Sequence, residues 1–271
     1  MKLPLVQVDA FAPAVFAGNP AAVVRLGHTQ LPSRTLQQIA AENNLSETAF
    51  VSATERPDVF GLRWFTPTVE VDLCGHATLA AGSVVLVEEA LSSVQFDTRS
   101  GPLHVSRDGT DFAMDLPHIP WEATAPDPEV DAVLGARPQA LYAVQETHGA
   151  RYRMARFATA SAIAALRPDL TRMGDVLGMN IIVTAPGDTP SVDFVSRFFG
   201  PGSGVPEDPV TGSAHCTLAP YWAGELSKQN LVAEQRSTRG GRLRCRVDSQ
   251  RVSLSGPCAR YLTGTITITI A

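Results

Sequence analysis

Residues 200–226 read GPGSGVPEDPVTGSAHCTLAPYWAGEL, and the rest of the chain is organised around this stretch. Its first sixteen residues hold Gly200, Gly202, Gly204 and Gly212, three prolines, the acidic pair Glu207 and Asp208, and Thr211, Ser213 and His215. It then turns at once into an apolar run. That pattern is a loop rich in donors and acids delivered onto the start of a helix, where unpaired backbone N–H groups and partial positive charge seat a carboxylate or phosphate. Residues 70–81, EVDLCGHATLAA, do the same with different letters. The expectation is that the two loops face each other across one small-molecule site.

The helix after the second loop decides the architecture. Its run ATLAAGSVVLV, 77–87, is apolar on nearly every side, and a helix without a polar face is buried all round. The flanking segments read as strands by alternation and by their Gly, Asn and Pro punctuation. In the first half these are Leu3 to Phe11, Ala21 to Leu26, Leu45 to Ser52, Leu62 to Thr66, Phe96 to Val105 and Asp111 to Leu116, with a helix over Thr35 to Asn43. Strands therefore wrap a central helix. Pro117 to Pro128 holds four prolines and little periodicity, and is the linker candidate. The second half restarts with strands at Leu141 to Glu146, Tyr152 to Phe157, Asn180 to Ala185, Val192 to Phe199, Arg242 to Val247 and Arg251 to Ser255, and a short helix over Ser161 to Leu166. A helix over Ser213 to Leu226 contains Pro220, which predicts a kink or an early break. Thr263 to Ile270 alternates almost strictly and reads as a last strand.

The halves echo each other. Asn44 to Ala49 lines up with Asn180 to Ala185, Arg63 to Pro67 with Arg197 to Pro201, and His76 to Ala80 with His215 to Ala219. Three matches in one order point to a duplicated domain. In this alignment Val183 stands opposite Glu47, so the fold does not require an acid there, and Glu47 becomes a candidate for chemistry. A lone Glu is more often a solvated strand-edge residue. Glu47 leads directly into Ala49-Phe50-Val51, however, and a carboxylate against apolar walls suits a general acid/base near neutral pH.

Composition bounds the classes of function. The chain has 271 residues, 44% of them hydrophobic, which is enough for one large core or two smaller ones. Its net charge is −5 without long charged blocks, which argues against nucleic acid or an anionic membrane as main partner. Cys74, Cys216, Cys245 and Cys258 form no C-x-x-C pair, and no H-E-x-x-H occurs, so no metal is expected. An apolar run of ~18 residues is absent, and the N-terminus is interrupted by Gln7, Asp9 and Pro13, so a soluble cytoplasmic protein is expected. Neither G-x-S-x-G nor a phosphate-binding G-x-x-x-x-G-K-[ST] is present, which disfavours a serine hydrolase and a nucleotide enzyme.

Three motifs in order carry a specific resemblance: Asn44-Leu-Ser-Glu-Thr-Ala-Phe50, Asp72-Leu-Cys-Gly-His-Ala-Thr78 and Glu207-Asp-Pro-Val-Thr-Gly-Ser-Ala-His-Cys216, with Val8-Asp-Ala-Phe11 and Gly18-Asn-Pro20 in support. Together they resemble the PhzF-like family of phenazine biosynthesis, across nearly the whole chain. The resemblance implies an α+β, diaminopimelate epimerase-like fold: two similar domains, each a β-barrel-like mixed sheet around a central helix, with the active site in the cleft between. The N-terminal domain would span 1–118, completed by a C-terminal strand at 259–271, and the second domain 119–258. It further implies a homodimeric isomerase without a cofactor, acting on a small carboxylic acid. Glu47 falls on the proton-shuttling position, with His76 and Asp208 as catalytic partners and Ser46, Cys74, Gly75, Gly212 and Ser213 binding substrate. Related epimerases use two cysteines; Cys74 keeps the first place and Asp208 takes the second, which points to a one-glutamate mechanism.

Each residue also has a plainer role open to it. His76 and His215 can cap their helices, Cys74 can be a small buried residue, Asp208 a turn residue and Ser213 an N-cap. A cleft that binds a carboxylate without turning it over is the competing class, and deuterium exchange into candidate acids separates the two.

Overall fold

The computed structural model describes residues 1–147 and 150–269, which fall into two compact units, Met1–Leu116 with Ser253–Ala271, and Pro117–Val252. The expected last strand ends at Ile270, which lies outside the described residues.

The first unit runs β1 (Lys2–Ala10), β2 (Asn19–Gly27), α1 (Ser33–Asn43), β3 (Glu47–Ala53), β4 (Val59–Phe65), β5 (Glu70–Val71), α2 (Gly75–Glu88), β6 (Ser93–Thr98), β7 (Gly101–Asp108) and β8 (Asp111–Pro117), and takes back the last strand, Cys258–Thr267. β1 is antiparallel to β2 on one side and to that last strand on the other. β2 and β3 are parallel, joined through α1, and β4 and β6 are parallel, joined through β5 and α2. Parallel neighbours need such crossovers because a tight turn cannot reverse direction twice. α1 lays Leu36, Ile39 and Ala40 onto a core that includes Leu3, Leu5, Val24, Phe50 and Phe65. α2 has no polar face: every residue from Gly75 to Leu86 is buried. It packs against β1, β2, β3, β6 and β7 and the last strand, so the sheet wraps it.

The second unit runs β9 (Trp121–Thr124), α3 (Pro128–Leu134), β10 (Ala140–Thr147), β11 (Ala150–Arg156), α4 (Ala160–Ala165), a single π-helical turn at Arg172–Val176, β12 (Met179–Pro186), β13 (Phe194–Gly200), β14 (Val205–Asp208), α5 (Gly212–Leu226), β15 (Asn230–Gln235), β16 (Gly241–Val247) and β17 (Arg251–Gly256), whose last residues belong to the first unit. The last strand of the chain is then β18. Pairing senses repeat those of the first unit. β11 and β12 are parallel across α4, β12 and β13 antiparallel, β13 and β15 parallel across β14 and α5, and β15 and β16 antiparallel. The fold is α+β with two similar halves, each a mixed sheet around one buried helix.

Three sequence expectations need correction. Phe96–Val105 is not one strand but the hairpin of β6 and β7, because Gly101 at φ +94° and the residues before it reverse the chain. The proline-rich 117–128 stretch contains β9, which pairs with β10, and runs into α3 at Pro128, where the Asp127 carboxylate caps the helix by accepting from the Glu129 amide. Pro220 neither ends nor breaks α5, which continues to Leu226. A proline removes the N–H that would bond the carbonyl four residues back. Here that carbonyl, on Cys216, accepts from the Ile119 amide at 3.1 Å, so nothing polar is orphaned.

The register also revises the internal alignment. Arg63 makes a paired bond to Glu70 on the next strand, at 2.7 and 2.8 Å, and Arg197 does the same to Glu207 at 2.8 and 3.0 Å. Phe50 stands opposite Arg63 and Val183 opposite Arg197, so matching the arginines matches Glu47 with Asn180, not Val183. Counting on from the two glutamates, the N-caps Cys74 and Thr211 coincide, as do Gly75 and Gly212, and His76 meets Ser213 rather than His215. Thr78 then meets His215, and the two share a task. Each bonds back to the carbonyl four residues earlier, Thr78 Oγ1 to Cys74 at 2.6 Å and His215 Nδ1 to Thr211 at 2.8 Å. Asp208 corresponds to Val71 and so does not occupy the counterpart of Cys74.

Candidate active site

The first unit gathers Glu47, Cys74, Gly75 and His76 at the start of α2. Glu47 is the first residue of β3, with its side chain 14% exposed; His76 is the second residue of α2 and is buried. Glu47 Oε2 and His76 Nε2 lie 2.9 Å apart, a close contact bent away from a straight hydrogen bond. The other ring nitrogen, Nδ1, lies 3.1 Å from Asn19 Nδ2 and 3.6 Å from Cys74 Sγ. Ser46 sits half-buried in the bend before β3.

Local structure explains why these groups meet. Ala21 of β2 is in parallel register with Glu47, which sets Asn19 near the same end of the sheet. Gly18 makes the turn into β2: at φ +64°, a side chain there would put its Cβ 2.2 Å from the Ala10 carbonyl oxygen. Asn19 itself is fully buried. It entered the sequence reading within Gly18-Asn-Pro20, in support of the family resemblance, and without a role of its own.

Electrostatics follow from burial and neighbours. Burial pushes the Cys74 thiol up, and the Glu47 carboxylate adds to this, so the sulfur keeps its hydrogen at neutral pH. For His76 burial opposes charge and the Glu47 carboxylate favours it, with the net direction upward; Cys74 would add to this only as a thiolate, which its own burial disfavours. Neither helix start carries a side-chain cap at its N-cap residue or an acidic residue in its first turn, where leading N–H groups and partial positive charge suit an anion.

Glu47, Cys74 and His76 are also the residue types that ligate metals, and their ligand atoms lie within 4.8 Å of one another. The imidazole stands between the other two, however. Nε2 faces Glu47 and Nδ1 faces Cys74, so no single ring nitrogen points to where both remaining ligands converge.

In the second unit Asp208, Gly212 and Ser213 sit together before and within the first turn of α5. Asp208 Oδ2 accepts from Thr211 Oγ1 at 2.5 Å. Gln235 clamps the same loop, accepting from the Thr211 amide at 2.9 Å and donating to the Asp208 carbonyl at 2.8 Å. Ser213 is half-buried at the second position of the helix and, with Thr217, Tyr152 and Ile182, lines a small cavity of about 10 Å³. His215 does not cap the helix: it is fully buried and its Nδ1 bonds back to the Thr211 carbonyl. Thr211 was named in sequence only as one polar residue of the loop and Gln235 not at all, because nothing in a Thr or a distant Gln marks a loop clamp.

The model of the family described as phenazine biosynthesis-like protein (PhzC-PhzF) matches residues 8–264. The chain belongs to this PhzF-like family. A Pseudomonas aeruginosa protein described as an uncharacterized isomerase is 48% identical, over 98% of this chain and 99% of its own length. The human phenazine biosynthesis-like domain-containing protein is 38% identical, over 98% and 100%. A crystal structure of a PhzF-family protein from Enterococcus faecalis superposes with a TM-score of 0.90 at 41% identity, covering 99% of this chain and 100% of that one. A hydroxyproline epimerase from Agrobacterium vitis shares the fold at a TM-score of 0.63 and 12% identity. The PhzF-like chain thus has relatives described as isomerases and a fold shared with epimerases. The family and the fold expected from the three motifs both hold, and among the described residues no helix is long and apolar enough to cross a membrane.

Proposed function

We propose that this PhzF-like protein is a cofactor-independent isomerase that moves a proton on a small carboxylic acid, with Glu47 as the group that takes the proton and returns it. The observation that carries this reading is the Glu47–His76 contact of 2.9 Å, set at an uncapped helix start. The carboxylate is shielded yet reachable, which a base needs to strip a weakly acidic C–H. Proton removal beside a carboxylate leaves negative charge on the acid or along a conjugated system. Preset donors lower that barrier, and such electrostatic terms are commonly the largest in catalysis. The α2 N–H groups beginning at Gly75, together with the His76 ring, are the donors assigned here. Cys74, held as a thiol, packs against His76 and acts as a wall of the site, and Ser46 borders Glu47. The same proposal gives Gly212 and Ser213 the seating of a substrate carboxylate and Asp208 the orientation of a polar substituent. A homodimer in the cytoplasm is the proposed setting.

The test is solvent deuterium exchange. Candidate small carboxylic acids incubated with the protein in D₂O should gain label at carbon, and Glu47→Gln, which keeps the shape and removes the base, should slow this by roughly 10²–10⁴-fold. Undiminished exchange in Glu47→Gln removes Glu47 from the reaction. An acid that binds tightly but never gains label turns the protein into a carboxylate binder.

A further inference from the structure

The geometry points to Asn19 as a positioning residue that fixes which nitrogen of His76 carries the ring proton, holding it on Nε2 toward Glu47. This rests on the Glu47–His76 pair proposed above, and deepens it. The Asn19 side-chain amide nitrogen lies 3.1 Å from His76 Nδ1, and an amide N–H₂ can only donate. A nitrogen that receives this bond uses its lone pair and carries no hydrogen. The Cys74 sulfur lies 3.6 Å from the same nitrogen, but Nδ1 has one lone pair, and the amide at 3.1 Å is the stronger donor toward it. The neutral ring therefore has its hydrogen on Nε2, the atom 2.9 Å from Glu47 Oε2.

The consequence is a division of labour. A His76 with its hydrogen on Nδ1 would turn a lone pair toward the Glu47 carboxylate and repel it; with its hydrogen on Nε2, it steadies the carboxylate where a substrate C–H must arrive. A second proton on the ring would have to sit on Nδ1, and only an overturned Asn19 amide, offering its oxygen, accommodates it. Asn19 is placed for such control: it is fully buried and opens β2 directly after the Gly18 turn, where a side chain at 18 would meet the Ala10 carbonyl oxygen, so the backbone entering the strand is fixed.

The test reads the imidazole directly and needs no substrate. In full-length protein with ¹⁵N-labelled histidine, long-range ¹H–¹⁵N spectra distinguish protonated from bare ring nitrogens, and His76→Gln assigns the signals. At a pH where the ring is neutral, the natural protein should show Nε2 protonated and Nδ1 bare. In Asn19→Leu, of similar size but without a donor, a population with Nδ1 protonated should appear. In Asn19→Asp, whose carboxylate only accepts, Nδ1 should become protonated and stay so to higher pH. A bare Nδ1 unchanged in Asn19→Leu, or a protonated Nδ1 in the natural protein, overturns the inference. Should Asn19→Leu fail to fold, Asn19→Asp decides alone, and an unchanged Nδ1 there overturns it equally. Deuterium exchange in Glu47→Gln decides the reaction separately, so loss of one reading does not disguise loss of the other.

Discussion

His215 is fully buried, bonds through Nδ1 to the Thr211 carbonyl, and leaves Nε2 without a protein partner. Burial draws its pKa down to about 4, against a partial upward pull from the Thr211 bond. Its folded value therefore lies below the unfolded one, near 6.5. Above that unfolded value the ring is neutral in both states and folding loses nothing. As pH falls toward 4, the unfolded chain gains a proton that the folded chain refuses, and stability declines by about 3 kcal/mol. Urea midpoints measured between pH 7 and 4 should show this fall, and His215→Gln, whose amide can still donate to the Thr211 carbonyl, should lose less over the same range. An identical fall in the variant would assign the acid sensitivity to other groups. His215 also shows where string matching misleads. It shares a letter with His76, yet its place and its bond are those of Thr78. Letters alone favoured the shared histidine, whereas strand register and the two N-caps align His76 with Ser213 and Glu47 with Asn180. The cluster of Glu47, Cys74 and His76 could be read from motifs because each residue type announces its chemistry. Asn19 could not, because an amide after a glycine announces only a turn.

The α2 helix shows what an apolar stretch conveys well. A run with no polar side has to be wrapped on all sides, and this was evident from letters alone. The same run does not say how closely the wrapping strands approach, and Gly82 records that. An added methyl there would lie 2.5 Å from Val105 Cγ1 and 2.7 Å from its Cβ, in a place where Val105 is itself fully buried. Overpacking of this kind costs about 1–3 kcal/mol, while Ala gains about 1 kcal/mol over Gly as a helix former. With the contact this short, the clash should win, and Gly82→Ala should lower the urea midpoint. Gly224 in α5 makes the opposite case, since an added Cβ there meets nothing within 4 Å. Gly224→Ala should hold or raise stability, by up to about 1 kcal/mol. Equal responses at the two glycines would mean that β7 yields freely to α2. The β6–β7 reversal escaped the sequence reading, whereas α5 was read through to Leu226 but with an early break at Pro220 as one outcome, and that break does not occur. The reversal turns on the local conformation of Gly101, at φ +94°, while the unbroken helix turns on a partner distant in sequence, the Ile119 amide that takes up the carbonyl the proline leaves.

The two units differ in how the chain completes them. The second is one continuous segment, whereas the first needs residues from both ends of the polypeptide. β18 supplies β1 with partners from Lys2 opposite Thr267 to Ala10 opposite Cys258, and the seam extends past the strands, where Ile268 bonds to Met1 in both directions at 2.8 and 2.9 Å. Ile266 and Ile268 also pack on the core formed by Leu3, Leu5 and Phe50. Removing residues 258–271 would strip β1 of one whole edge and open that core, while every strand pairing described above for β10 to β16 stays in place. Hydrogen exchange on the truncated chain should therefore show amides of β1 and β2 losing protection, with those of β12 and β13 remaining slow. Because β2 carries Asn19 and lies in register with Glu47, deuterium exchange into substrate should disappear with the same truncation. Uniform loss of protection would mean that the chain folds as one cooperative block. Full protection of β1 would mean that β18 is dispensable to the sheet it closes.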